Sequence, residues 1–160
     1  MLKENLARVG IDVQQAEEDA DPLIADTTLE SAQNDPTVLA GNDTDLLAML
    51  IARVPETSKG VEMLHPASSN TAGKLFDIKK IQEEIGDMKG CVLFAHAISG
   101  GDKTCAIYKI GKLKPYRLLE KDAALRQEVT IFNDPNADLK QLEAVAEKFI
   151  MRLYPDGSKF

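Results

Sequence analysis

Three short acidic clusters, each beside an apolar run where a strand should give way to a helix, constrain this chain most. They are Glu17-Glu18-Asp19-Ala20-Asp21, Gly41-Asn42-Asp43-Thr44-Asp45 and Gly100-Gly101-Asp102. Clusters at the ends of successive strands would meet at one edge of a sheet and form a pocket of negative charge. Two carboxylates about 5 Å apart at an effective dielectric of about 20 repel by roughly 3 kcal/mol. A fold keeps such a pocket where a cation fills it, and hard oxygen ligands favour Mg²⁺ or Mn²⁺. The plainer reading of each acid is also physical. Asp43, Asp19 and Asp21 are good residues for a helix start, and Asp102 after a diglycine suits a turn.

The pattern between the clusters predicts alternating elements. Residues 2–9 read as the end of a helix with Leu2, Leu6 and Val9 on one face, stopped by Gly10. Ile11-Asp12-Val13-Gln14 alternates like a strand, and Asp21-Pro22 opens a helix to about Ala32. Asn34-Asp35-Pro36 is a turn, and Thr37-Val38-Leu39-Ala40 is an apolar strand of the kind found in parallel sheets. Asp43 or Thr44 caps a helix through Leu46, Leu47, Leu50 and Ile51. A strand at 61–65 and a loop at 66–73 follow, then a helix capped by Asp77 and closed by Gly86. Residues 91–97 form an apolar run, 104–125 read as short helices, and 137–153 form an amphipathic helix. The expected fold is α/β, a short parallel sheet flanked by helices, with a helical C-terminal part. The expected division is 1–125 and 126–160.

Composition narrows the function classes. A net charge of −7 argues against a generally basic nucleic-acid binder. Locally, however, Lys103, Lys109, Lys112, Lys114, Arg117 and Lys121 follow the third acidic cluster and could hold a phosphate backbone. Cys91 and Cys105 form no CxxC motif, which disfavours zinc. Reduced thiols suit a nuclear or cytoplasmic protein, and nothing resembles a secretory signal. No apolar stretch approaches the ~20 residues a membrane span needs. Aromatic content is 5%, so stacking platforms for single strands are few.

Asp43-Thr44-Asp45-Leu46-Leu47 after an apolar strand resembles the Asp-x-Asp motif of PIN-like nucleases of the flap-endonuclease-like superfamily. Glu18-Asp19-Ala20-Asp21 is similar to that family's upstream acidic helix start. His96-Ala97-Ile98-Ser99-Gly100-Gly101-Asp102, with Ile110-Gly111-Lys112 beyond it, resembles a segment of a branch common in transposon-derived and uncharacterised animal proteins. The resemblance covers roughly residues 10–121. It implies a two-metal, structure-specific nuclease in which Asp19, Asp21, Asp43, Asp45 and Asp102 hold Mg²⁺ or Mn²⁺. Asp21, Asp43, Asp45 and Asp102 would serve catalysis directly. Lys103, Lys109, Lys112, Lys114 and Arg117 would contact nucleic-acid phosphates, DNA before RNA. His96 reads as a core histidine or one that supports a ligand. The departures matter too. Lys103 follows Asp102 where that branch has threonine, and the family's opening strand, which ends in a metal-bridging Asp, has no counterpart before Glu17. The chain thus resembles the C-terminal portion of such a domain, with weak or absent cleavage expected from it alone. The alternative is an inactive binding module that meets a protein partner through its C-terminal amphipathic helix.

Overall fold

The computed structural model describes residues 2–69, 72–100 and 110–154. The elements in order are α1 (Leu2–Arg8), α2 (Ala20–Asn34), β1 (Thr37–Ala40), α3 (Thr44–Arg53), β2 (Val61–His65) and β3 (Lys74–Asp77). They continue as α4 (Ile78–Ile85), α5 (Val92–Ile98), α6 (Leu113–Lys121), α7 (Ala123–Glu128) and α8 (Leu139–Leu153). Short 3-10 turns, Gly86–Cys91 and Val129–Asn133, connect α4 to α5 and follow α7.

The architecture is α/β, with helices flanking a small sheet of order β1-β2-β3. The sheet is mixed, not parallel as expected. β1 and β2 run parallel, joined by the crossover helix α3, but β2 and β3 pair antiparallel. The reason is connection length, because a link too short for a crossover helix folds the chain back as a hairpin. Leu64 lies opposite Leu75 in that hairpin. β3 itself was not expected, since four residues ending in a helix cap carry little periodicity. Conversely, 11–14 form no strand: Ile11 is half exposed and the segment is irregular. Alternation alone does not make a strand without a partner for its backbone groups.

Local chemistry fixes the helix ends that matter for the site. Asp19 caps α2 by accepting a hydrogen bond from the Asp21 N–H at 3.3 Å. Pro22 then sits in the first turn, where no intrahelical N–H is needed. α2 ends ahead of Asp35-Pro36, with Asp35 extended as a residue before proline must be. α3 starts the same way, its Asp43 carboxylate accepting from the Asp45 N–H at 2.8 Å. It stops at Val54, which is extended before Pro55. Asp77 caps α4 through the Lys80 N–H, and Gly86 at φ +51° closes it.

Two hydrophobic clusters hold the fold. One packs Leu39, Val61 and Met63 of the sheet against Ala32 of α2, Leu46 and Leu50 of α3, and Ile78 of α4. α2 contributes small buried residues, Ala25, Thr28 and Ala32, which let it lie close. The other cluster joins Cys91 and Phe94 to Leu119, Leu125, Val129 and Phe149, so residues from both sides of position 125 share it. Phe149 meets Phe94 edge to face at 4.8 Å between ring centroids. In α8, Phe149 and Leu153 are buried, whereas Leu139 at its start is 68% exposed.

Candidate metal centre

The path of the chain brings two helix starts to one place. α2 leads into β1 through a tight turn, so it runs against the direction of β1. α3 leaves the C-terminal end of β1 through Gly41, Asn42 and Asp43 and also runs back. Both N-termini therefore lie at the C-terminal end of β1, the edge where open α/β sheets carry their sites. Packing of α2 on α3 holds them side by side.

At that edge Asp21, Asp43 and Asp45 each offer a carboxylate oxygen, all within 4.8 Å of one another. Asp21 and Asp45 are half-buried and Asp43 is exposed. His96, reaching across from α5, places Nε2 2.7 Å from Asp45 Oδ1. Its ring is mostly buried, and the pair fixes the orientation of the Asp45 carboxylate. Below His96, Ser99 is buried and donates its hydroxyl to the His96 carbonyl at 2.8 Å.

Magnitudes decide how the cluster is held. Two carboxylates within 4.8 Å of each other repel by at least about 1 kcal/mol in water and about 3 kcal/mol at an effective dielectric of 20. The two helix N-termini favour negative charge, but by only about 0.3–1 kcal/mol per carboxylate. The His96 contact relieves Asp45, and the helix N-termini offset part of the remaining repulsion. The donor set is all oxygen and suits a hard divalent cation. Opposed oxygens lie about 4.2 Å apart across Mg²⁺ and about 4.6–5.2 Å apart across Ca²⁺. Three ligands cannot all be opposed, so the three oxygens would have to draw inward to reach either ion together.

Of the residues expected to ligate, the structure brings together Asp21, Asp43 and Asp45. Asp19 is the cap of α2 and stands outside that group. Asp102, Lys103 and Lys109 lie outside the described residues. Lys112, Lys114 and Arg117 are exposed at the start and on the surface of α6. Lys114, Arg117 and Lys121 recur at three- and four-residue intervals and so share one helix face. The Lys114 ammonium lies over the Tyr154 ring at 5.8 Å. His96, read from the sequence as a core histidine or one that supports a ligand, is mostly buried and contacts Asp45.

An apolar cavity of about 500 Å³ adjoins the cluster between α3, α4, α5 and α6. Leu47, Ile51, Ile81 and Val92 are among its walls, and Thr44 and His96 open it toward the carboxylates. Comparison with protein-family models, curated proteins and solved structures found no match for this chain.

Proposed function

We propose that this chain carries a divalent-cation centre of the phosphodiester-nuclease type. Asp21, Asp43 and Asp45 are its ligands, and His96 is the residue that orients Asp45. The observation that carries the reading is the convergence of the three carboxylates, from two helix starts, within 4.8 Å. The sequence resemblance to flap-endonuclease-like PIN domains supplies the substrate class, nucleic-acid phosphodiesters. A cation held there supplies Lewis-acid stabilisation of charge on a phosphoryl group. The basic face of α6, with Lys112, Lys114 and Arg117, supplies phosphate contacts that are sensitive to salt. Three carboxylates suffice for one cation. A second cation, which in-line two-metal hydrolysis requires, needs ligands beyond the three grouped among the described residues, and slow cleavage by the chain alone is the expectation.

Calorimetric titration with Mg²⁺, Mn²⁺ and Ca²⁺ tests the site directly. Binding heat is expected for the native chain and none for Asp43→Asn with Asp45→Asn. Incubation with flap, duplex and single-stranded DNA in Mn²⁺ tests the chemistry, with Asp43→Ala as the control. Absence of heat with all three cations refutes the centre. Binding with no cation-dependent cleavage of any substrate leaves a cation-binding module and refutes the nuclease reading.

A further inference from the structure

The two edges of the sheet are built differently. β3 is framed by charge, with Lys74 and Asp77 at its ends. Such residues discourage pairing with another strand. β1 consists of Thr37, Val38, Leu39 and Ala40, with no charge and no proline within it. Among the described residues no strand pairs with its outer side. The ladder to β2 uses the N–H groups of Thr37 and Gly41, which donate to Gly60 and Leu64 carbonyls at 3.0 Å. Alternation along a strand then turns the N–H and C=O of Val38 and Ala40 outward.

Among the described residues, the same strands leave one face of the sheet uncovered. Leu39, Val61 and Met63 point into the core. Val38, Leu75 and Leu64 on the opposite face are 56%, 53% and 37% exposed. Ala40, Leu64 and Leu75 form one apolar row across the three strands. The neighbouring row is Val38, Glu62 and Asp77, so the charges that the strands themselves present on this face are acidic; Lys79 at its margin is engaged with the Glu56 and Ser58 carbonyls. At the C-terminal end of β1 the acids are Asp21, Asp43 and Asp45.

We propose that the outer edge of β1 accepts an extended segment of another polypeptide, alternately apolar, with lysine or arginine flanking its apolar positions. Its backbone pairs with Val38 and Ala40, its apolar side chains extend the row on the open face, and its cations answer Glu62 and the exposed Asp43 at the strand end. A second copy of this chain is the poorer occupant. Antiparallel self-pairing through the outward groups sets Val38 against Ala40 and Leu39 against Leu39. The same register sets Asp35 against Asp43, between two chains that each carry −7. This inference rests on the edge and the face of the sheet, not on cation binding.

The test uses fluorescein-labelled Lys-Val-Thr-Val-Thr-Val-Lys, its glutamate-flanked twin, and a backbone N-methylated form, all with EDTA present. Anisotropy is expected to show the lysine peptide binding at least tenfold more tightly than either control. Val38→Pro removes an outward N–H that the ladder to β2 does not use, and proline is tolerated on such an edge. It is expected to abolish binding without lowering the melting temperature. Val38→Lys provides the same block should proline disturb the fold. Equal binding of the lysine and glutamate peptides overturns the proposal, as does full binding by both Val38 variants. A dimer in sedimentation that Val38→Pro dissociates also overturns it, by assigning the edge to a second copy.

Discussion

Asp43 has two separable roles, so two substitutions at one position have different signs. Its carboxylate caps α3 through the Asp45 N–H at 2.8 Å, and its charge joins the acidic cluster. Asp43→Asn keeps a side-chain oxygen for the cap, at which asparagine and aspartate serve about equally. It deletes the repulsions with Asp21 and Asp45. Asp43 is exposed, so the water-like estimate applies, about 1 kcal/mol for each pair at 4.8 Å. Against this stands the lost attraction to the helix N-terminus, about 0.3–1 kcal/mol. The metal-free asparagine variant should therefore be more stable than the native chain by about 1 kcal/mol. Asp43→Ala gains the same relief but loses the cap, at a cost of about 1 kcal/mol, and should fall near the native value.

Cations should reverse the order. A ligand that binds only the folded state at 100 times its dissociation constant adds about 2.7 kcal/mol. The native chain gains this in millimolar Mg²⁺, Mn²⁺ or Ca²⁺, and neither Asp43 variant does. For a chain of this size each kcal/mol moves the melting temperature by about 2–4 °C. Circular-dichroism melts in EDTA and in each cation read both effects. The reasoning is refuted if the asparagine variant melts below the native chain in EDTA, since the cluster would then not be held against its own repulsion.

Two further outcomes test the fold. Phe149→Ala, which empties the centre of the C-terminal cluster and its edge contact with Phe94, should cost about 3–5 kcal/mol in urea unfolding; a loss under 1 kcal/mol would mean that α8 is not docked as described. Burial raises the Cys91 thiol above its ordinary value of 9.0, opposed by Arg126, and raises the Tyr116 phenol above 10.0. As pH climbs past 9 the unfolded chain loses these protons first, so stability present below that pH declines through the folded-state values. Urea midpoints at pH 8 and 10 should show the native chain losing ground to Cys91→Ala, and an unchanged difference would refute the buried thiol.

The parts of the fold that were legible in the sequence are those set by local chemistry. Asp43, Asp77 and the Asp35-Pro36 pair announce helix starts and stops because the capping or steric effect acts within a few residues. The apolar runs at 37–40 and 61–65 became strands because each finds a partner, whereas 11–14 has the alternation without one. β3 exists because the chain returns along β2, a matter of pairing that four residues do not encode. The site divides in the same way. Asp43 and Asp45 are neighbours on one helix turn, so their proximity was readable. Asp21 joins them only because α2 runs against β1 and packs on α3, and His96 reaches Asp45 from 51 residues away.

The same distinction separates the cluster from the open edge. Acidic side chains advertise themselves in a sequence, but an unguarded strand edge is a property of what lies beside it. Thr37-Val38-Leu39-Ala40 has the composition of a buried central strand, yet Val38 is 56% exposed. A strand with that composition at an edge exposes backbone groups and apolar area together, and both are relieved by one event, the addition of another strand. The acids at its end then bear on which strand is accepted. With a cation in the cluster the demand for lysine near Asp43 weakens, and without one it strengthens. The lysine peptide should therefore bind more tightly in EDTA than in millimolar Mn²⁺, and the difference should vanish in Asp43→Asn with Asp45→Asn. If Mn²⁺ leaves peptide affinity unchanged in the native chain while calorimetry shows the ion bound, the edge and the cluster act independently, and the placement of the cationic end beside Asp43 is wrong.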